Sequence, residues 1–317
     1  MISPLFRLPR LPAVFFAFIL GLCGLGRAGE VRLVSDVAYL AAGRSERLDL
    51  YLPVDPAGST ARRPAVVYFH GGGWYKGDKA TARETNIGDN LAAAGYVFVS
   101  ANYTLGKSVW PQNIFDCKNA VRFVRAHAAE YRIDPDRIVV MGTSAGGHLA
   151  LLVGYSPDDP KLSPPAPYPG VSDKVRAVID FYGITDLATR QNVRPDGSPT
   201  GELDDAHSEE MLGASRAAGA AIWKAASPVS YIRANSPPTL IVHGLSDKIV
   251  DYPQAVELAN VLRANGVRHE LMLVEGIGHM FDLTTWQDKP MQVDLRPVVL
   301  KFLARVDGGA SPAAVAK

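Results

Sequence analysis

Short apolar runs alternate with longer amphipathic segments along most of this chain, and this alternation limits the available folds more than any other feature. Six runs rich in Val, Ile, Phe and Tyr have the length of strands and lie at residues 65–69, 96–101, 137–141, 174–181, 239–242 and 269–274. Apolar runs without polar alternation indicate strands covered on both faces. Helices are predicted at residues 81–94, 112–131, 144–155, 254–265 and 292–306. Strands that alternate with helices predict right-handed crossovers, and therefore an α/β fold with a mostly parallel, doubly wound sheet.

Length and composition favour one large domain built on this sheet. The chain has 317 residues, of which 47% are hydrophobic and 21% charged, enough to bury a sizeable core. Residues 31–52 are predicted to form an antiparallel strand pair that leads into the sheet. Residues 156–173 and 185–238 are rich in proline and glycine, and we interpret them as insertions over the sheet, of the kind that form lids. We expect one domain at 29–306 and a disordered tail at 307–317.

The first residues have the pattern of a cleaved export signal. Two arginines precede an apolar run at 11–25, and the small residues Gly26 and Ala28 occupy the positions that a signal peptidase inspects. The run is shorter than the roughly 20 apolar residues that a membrane anchor needs. A lipid anchor at Cys23 is disfavoured because a bulky leucine precedes the cysteine. The signal peptide is predicted at 1–28, and the mature protein is expected to be secreted or periplasmic.

Charge and cysteine content argue against several classes of function. Lys and Arg number 33 against 32 Asp and Glu, and no basic stripe with interleaved aromatic residues is present, so a nucleic-acid partner is not expected. Because the sequence has no His-Glu-x-x-His, cysteine pair or carboxylate cluster, we predict neither a metal nor a cofactor. After signal removal Cys117 would be the only cysteine, so no disulfide could form within the chain.

A Gly-x-Ser-x-Gly sequence at 142–146 is the first indication of chemistry. It follows one predicted strand and opens the next predicted helix, which is the setting of a nucleophile elbow. A serine on such a strained turn stands clear of both elements, and small neighbours let a substrate approach. Ser144 is therefore the predicted nucleophile. The alternative is a glycine-rich turn of another α/β fold, and the strand and helix on either side favour the elbow.

A serine hydroxyl needs a base to take its proton and an acid to orient that base. His279 follows the predicted strand at 269–274, and Asp247 follows the one at 239–242. Both positions lie at the carboxyl edge of a parallel sheet, and the chain order serine, acid, histidine is the one that accompanies a nucleophile elbow. His279 is predicted to be the general base, and Asp247 is predicted to hold its tautomer.

Two other aspartates lie near the same edge of the sheet. Asp251 is interpreted as a cap of the helix that follows it, and Asp282 as a loop or capping residue. Asp247 is preferred because it comes earliest after its strand, in a turn that can point back over the sheet. Five further histidines lie in helices, in the second insertion or at strand ends, where a structural role is expected: His127, His148, His207, His243 and His269.

A His-Gly-Gly-Gly-Trp sequence at 70–74 directly follows the first of the six strand-like runs. Attack on a carbonyl carbon creates an oxyanion, and backbone amides with no side chain in the way can be aimed at it. Gly72, Gly73 and Ala145 are predicted to be the oxyanion donors. A flexible turn or a phosphate loop is the alternative, but the helix and the Lys-Ser/Thr pair of a phosphate loop do not follow. Trp74 is predicted to wall the acyl or alcohol pocket, with plain packing as the alternative.

These motifs together resemble those of the α/β-hydrolase esterases of the hormone-sensitive-lipase-like group, and especially its branch of bifunctional feruloyl and acetyl-xylan esterases. The resemblance extends over residues 48–303 and rests on five motifs, at 70–74, 102–103, 142–150, 243–247 and 278–279. It implies an α/β-hydrolase fold with lid or cap insertions, the triad Ser144, Asp247 and His279, and the oxyanion donors Gly72, Gly73 and Ala145. The second insertion is longer and more polar than compact members are expected to have.

The expected function is that of an exported serine carboxylic ester hydrolase, which acts through an acyl-enzyme on short-chain or aromatic acyl esters, including those of plant polysaccharides. Kynurenine formamidases and some peptidases share the motifs, so amide hydrolysis by the same triad is an alternative. A binding module without catalysis is disfavoured because nucleophile, base, acid and oxyanion loop are all present. The sequence does not determine the oligomeric state.

Overall fold

The computed structural model describes residues 29–56, 58–164, 166–188, 190 and 206–308. The predicted signal at 1–28, the middle of the second insertion at 191–205 and the tail from residue 309 onward lie outside these described residues. Within the described ranges, no helix is both long enough and apolar enough to cross a lipid bilayer.

The described chain is built on an eight-stranded sheet with the order β1-β2-β4-β3-β5-β6-β7-β8. The strands are β1 (Val31–Ala38), β2 (Arg47–Pro53), β3 (Arg63–Phe69), β4 (Val97–Ala101), β5 (Ile133–Thr143), β6 (Ala177–Phe181), β7 (Thr239–Gly244) and β8 (His269–Val274). β2 pairs antiparallel with β1 and β4, and every other pair in the sheet is parallel. The predicted α/β fold with a mostly parallel sheet is therefore confirmed, as is the leading antiparallel pair.

Helices cover both faces of the sheet, which explains why its strands are continuously apolar. The helices are α1 (Ala82–Ala93), α2 (Gln112–Ala126), α3 (Ala145–Tyr155), α4 (Ala206–Leu212), α5 (Ala220–Ala225), α6 (Pro253–Ala264) and α7 (Arg296–Val306). One core cluster holds Val67 of β3 with side chains of α2, α3 and α6, and the other holds Val66 with side chains of α1 and α7. Adjacent residues of one strand thus enter opposite cores.

Several element boundaries differ from the prediction. Helix α2 ends at Ala126 instead of residue 131, and β5 begins at Ile133 instead of residue 137. The amide of Ile133 donates to the carbonyl of Ala128, which closes a turn between the two elements. Helix α7 begins at Arg296 instead of residue 292. A proline lies in its first turn, where a helix tolerates proline, whereas the same proline would lie in the interior of a helix that began at residue 292. Strand β6 begins at residue 177, three residues later than predicted.

The first insertion is anchored to helix α2 by buried charges. Asp173 lies 2.9 Å from the guanidinium of Arg122 and 3.5 Å from the ammonium of Lys118. The second insertion contains α4, α5 and a 3₁₀ turn at Pro228–Tyr231. The main-chain carbonyls of Glu210 and Met211, in α4, accept hydrogen bonds from residues 108 and 110, which places α4 beside the loop before α2.

Candidate active site

Ser144 occupies the sharp turn between β5 and α3. Its backbone has φ 54° and ψ −121°, a left-handed conformation that is strained for a residue with a side chain. The side chain is half-buried, whereas its neighbours on both sides are fully buried. A Cβ atom at Gly146 would lie 2.0 Å from the carbonyl oxygen of Phe69, so only glycine lets the helix approach β3 this closely. The turn therefore has the geometry of a nucleophile elbow, with the serine hydroxyl at the carboxyl edge of the sheet.

His279 and Asp247 lie on the loops that follow two paired strands, β8 and β7. The amide of Ser246 donates to the carbonyl of Ile277 at 2.9 Å, which joins the two loops. The Nδ1 atom of His279 lies 2.7 Å from Oδ2 of Asp247, and its Nε2 atom lies 2.9 Å from Oγ of Ser144. The three predicted residues are thus connected by one continuous chain of hydrogen bonds.

The environment fixes the charge of Asp247. Burial acts to raise the pKa of this carboxyl, but hydrogen bonds from His243 and His279 outweigh burial and hold the pKa well below its usual range. Its Oδ1 atom also accepts the amides of Ile249 and Val250, at 2.8 and 3.0 Å. Asp247 is therefore an acceptor at both oxygens, which requires the hydrogen of the 2.7 Å bond to be on Nδ1 of His279.

This tautomer leaves a lone pair on Nε2 of His279, aimed at the hydroxyl of Ser144. Burial lowers the pKa of His279 from its ordinary value, and the hydrogen bond to Asp247 acts in the opposite direction. The imidazole is consequently neutral at neutral pH, which is the form that can accept a proton. The ring of Tyr182 packs edge-on against His279 at 4.7 Å, and Nε1 of Trp286 donates to its carbonyl at 2.8 Å.

The two alternative aspartates have other contacts. Asp282 accepts the amides of Thr284 and Thr285 and the hydroxyl of Thr285, as a turn residue does. Asp251 is buried just before α6, and its main-chain carbonyl accepts the amide of Gln254. The residue at the cap position of α6 is Tyr252, so Asp251 lies one residue before the cap. Of the three aspartates, Asp247 is the one hydrogen-bonded to His279.

The glycine loop after β3 lies against the nucleophile turn. A Cβ atom at Gly71 would lie 3.2 Å from Cβ of Ser144, which measures how closely the loop approaches the serine. Gly72 and Gly73 both have positive φ, 125° and 62°. Across the described part of the chain, the amides of these two glycines donate to no backbone carbonyl. Ala145 is the first residue of α3, where the amide has no partner within the helix.

Trp74 packs in the core, which agrees with the packing alternative and not with the predicted pocket wall. Its side chain is 1% exposed and belongs to the core. The indole Nε1 donates to Nδ1 of His148 at 3.3 Å, and Nε2 of His148 donates to the carbonyl of Ala226 at 2.7 Å. Burial lowers the pKa of His148 to about 4, so this histidine is neutral. The tryptophan therefore connects the glycine loop to helix α3.

Two residues that were not assigned to the site from the sequence lie beside the glycine loop. The rings of Tyr75 and His207 stack at 4.3 Å. A Cβ atom at Gly73 would lie 2.8 Å from Tyr75 and 3.4 Å from His207, so both rings border the glycine loop. No local motif could have revealed this pair, because more than one hundred residues of chain separate its members.

No group of three or more His, Cys, Asp or Glu side chains that could hold a metal ion is found among the described residues. A parallel sheet with a serine elbow after β5, an acid after β7 and a histidine after β8 defines an α/β hydrolase.

Comparison with known proteins identifies the family within this class. Residues 48–262 match the BD-FAE family, and the chain belongs to it. This match confirms the resemblance drawn from the sequence motifs. The probable carboxylic ester hydrolase LipM of Mycobacterium tuberculosis is 33% identical over 230 residues, which are 72% of this chain and 51% of LipM. The chain thus spans about half the length of the mycobacterial relatives that it matches.

Two solved structures extend the comparison over most of the chain. A truncated carbohydrate esterase from gut microbiota is 25% identical, with a TM-score of 0.73 over 89% of this chain and 98% of that one. Thermogutta terrifontis esterase 2, in a form phosphonylated by sarin, is 29% identical, with a TM-score of 0.71 over 90% and 97% of the two chains. The α/β-hydrolase fold predicted from the sequence is confirmed by these similarities.

Proposed function

We propose that this protein is a serine carboxylic ester hydrolase in which Ser144 is the nucleophile, His279 the general base and Asp247 the orienting acid. The observation that carries the proposal is the hydrogen-bonded chain from Asp247 through His279 to Ser144, at 2.7 and 2.9 Å, beside a glycine loop. The similarity to LipM and to the carbohydrate esterase supports the same class of reaction.

In the first half-reaction, Oγ of Ser144 bonds to the ester carbonyl carbon while Nε2 of His279 takes the hydroxyl proton. The electron pair of the carbonyl moves to its oxygen, and the amides of Gly72, Gly73 and Ala145 would stabilise this oxyanion. When the tetrahedral intermediate collapses, the bond to the alcohol oxygen breaks and that oxygen receives the proton from Nε2. Water then attacks the acyl-serine by the same route, which releases the carboxylic acid and restores the serine.

The rim of the site favours an apolar or aromatic substrate group. Large side chains that remain exposed beside the site are Tyr75 at 40%, Ile249 at 51% and Met280 at 50%. Along the chain they follow the glycine loop, the acid and the histidine respectively, and we propose that they form the rim of the site. His207 extends the ring surface of Tyr75. We propose short-chain and aromatic acyl esters as substrates, with carbohydrate esters as the natural class, which the similarity to the carbohydrate esterase supports.

A substrate panel tests this function. The purified protein is expected to hydrolyse p-nitrophenyl acetate, p-nitrophenyl butyrate and methyl ferulate, and to release acetate from acetylated xylan. Hydrolysis of p-nitrophenyl palmitate and N-formylkynurenine is expected to be at least about tenfold slower in kcat/KM, the scale on which a binding pocket discriminates. Faster cleavage of N-formylkynurenine than of every ester would assign the site to amide hydrolysis instead.

Export remains part of the proposal. The charged start, the apolar run at 11–25 and the small residues before Gly29 predict a mature protein that begins near Gly29. Intact mass spectrometry of the protein recovered from the periplasm or medium of an expressing cell should give the mass of a chain that starts at this position. A chain that retains Met1, or that carries a lipid on Cys23, would contradict the prediction.

A further inference from the structure

His243 lies directly behind the proposed acid. It is the penultimate residue of β7, and its side chain is fully buried. Its Nε2 atom lies 3.3 Å from Oδ2 of Asp247 and 3.1 Å from the carbonyl oxygen of Val250. A structural role was expected for this histidine, and its ring also contacts the proposed acid.

These two neighbours determine the tautomer of His243. The carbonyl oxygen of Val250 is an acceptor, and the carboxylate of Asp247 is an acceptor at both oxygens. A lone pair on Nε2 of His243 would face two electron-rich atoms, which is unfavourable in a buried site. The hydrogen must therefore be on Nε2, which donates to the carbonyl of Val250 at 3.1 Å and lies 3.3 Å from Oδ2 of Asp247.

The contacts of His243 hold both the side chain of Asp247 and the main chain of the turn at residues 247–250. Oδ1 of Asp247 accepts the amides of Ile249 and Val250, while the carbonyl of Val250 accepts from His243. Oδ2 of Asp247 lies between two imidazoles, His243 on one side and His279 on the other. Rotation of the carboxylate would break bonds at both oxygens, so the position of the acid relative to His279 depends on His243.

We propose that His243 is a positioning residue for the catalytic triad, which acts by holding the carbonyl of Val250 and by placing its Nε2–H group beside Oδ2 of Asp247. The inference rests on the proposed function, since it concerns the same triad. His243 holds the carboxylate in line with Nδ1 of His279 and disperses its negative charge. Without that donor, the carboxylate is a stronger acceptor for His279, which stabilises the protonated imidazole. Loss of His243 is therefore expected to raise the pKa of His279.

Asp180 and Arg83 are further charged groups near this pair, and they contribute to the pH dependence of activity. Asp180 of β6 pairs with Ile241, two residues before His243, so its side chain lies on the same face of the sheet. Burial raises the pKa of Asp180 to about 7, opposed by His243 and by the amide of Gly183. The positive charge of Arg83, at the start of α1, lowers the pKa of His279. Both groups are kept in the variants described next.

The test compares His243→Gln, His243→Asn and His243→Leu with the unmodified enzyme. A glutamine amide can reach the position of Nε2 and keep the donor, an asparagine amide is too short to reach it, and leucine has none. We expect His243→Leu and His243→Asn to lower kcat by about 10- to 100-fold, the effect of losing a hydrogen bond to a charged group. KM should stay unchanged because the buried ring does not contact substrate, and His243→Gln should recover most of the loss.

The pH profile of kcat/KM distinguishes positioning from packing. The acid limb, where activity falls as His279 becomes protonated, is expected to move to higher pH in His243→Leu and His243→Asn and to return in His243→Gln. Turnover is referred to the number of active sites counted with an organophosphonate, so that unfolded protein does not enter the rate. His148→Leu removes another fully buried histidine and is the matched control, in which the acid limb should not move.

The inference is overturned if all three His243 variants keep the acid limb of the unmodified enzyme, or if none of them folds while His148→Leu does. In both cases His243 would serve packing alone. A failure of the proposed function is a separate result, since the unmodified enzyme would then hydrolyse no ester or would keep its activity after Ser144→Ala.

Discussion

Ser144→Ala is expected to lower ester turnover by about 10⁶-fold, the scale seen when the nucleophile of a triad is removed. In the proposed mechanism, Oγ of Ser144 becomes the ester oxygen of the acyl-enzyme. This hydroxyl lies 2.9 Å from Nε2 of His279, and no second hydroxyl contacts that nitrogen among the described residues. The residual rate should come from the oxyanion amides and binding alone. The fold should survive, because alanine keeps the Cβ atom that the elbow already accommodates.

Two measurements check this result. The first is kcat with p-nitrophenyl butyrate, and the second is the mass increase after treatment with an organophosphonate, a type of reagent that phosphonylates Thermogutta terrifontis esterase 2. Ser246→Ala is the matched control, because Ser246 is exposed in the neighbouring acid loop. Labelling should be lost in Ser144→Ala and kept in Ser246→Ala. Labelling that persists in Ser144→Ala would show that another residue is the nucleophile.

Asp247→Asn is expected to lower turnover by about 10³- to 10⁴-fold while the protein stays folded. The carboxylate accepts from Nδ1 of His279 at 2.7 Å and so keeps the lone pair of Nε2 on the serine side. An asparagine that turns its amide nitrogen toward Nδ1 would place the hydrogen on Nε2 instead. The histidine could then no longer take the serine proton.

Asp251→Asn and Asp282→Asn are the controls, since both aspartates are buried near the same edge of the sheet. Each is expected to change kcat by less than about tenfold. For Asp282, which holds a turn through Thr284 and Thr285, a loss of about 1 kcal/mol or more in the free energy of unfolding is expected instead. Urea unfolding measures the free energy of unfolding and the kcat assay measures turnover, so the two experiments separate an effect on stability from an effect on catalysis. If turnover collapses in Asp251→Asn or Asp282→Asn and stays near normal in Asp247→Asn, the aspartate whose variant loses turnover is the orienting acid.

The sequence by itself determined those features that depend on residues close together in the chain. Continuous apolar runs between amphipathic segments predicted the parallel sheet, because a strand covered on both faces has no polar side. The glycine-serine-glycine turn lies between a strand and a helix, and its position follows from that local pattern. The order of serine, aspartate and histidine could be assigned in the same way, because each follows a strand whose carboxyl end must lie at one edge.

Only the tertiary structure decided which side chains meet. Asp247, Asp251 and Asp282 all follow the relevant strands, and the turn after β7 brings Asp247 to His279. Trp74 was expected in the pocket and is buried against His148, whereas Tyr75 and His207 border the glycine loop. The contact between His243 and Asp247 also depends on how the turn folds back over β7. Sequence spacing shows which residues follow a strand or a helix, but the direction of each side chain is set by packing between elements that are distant in the chain.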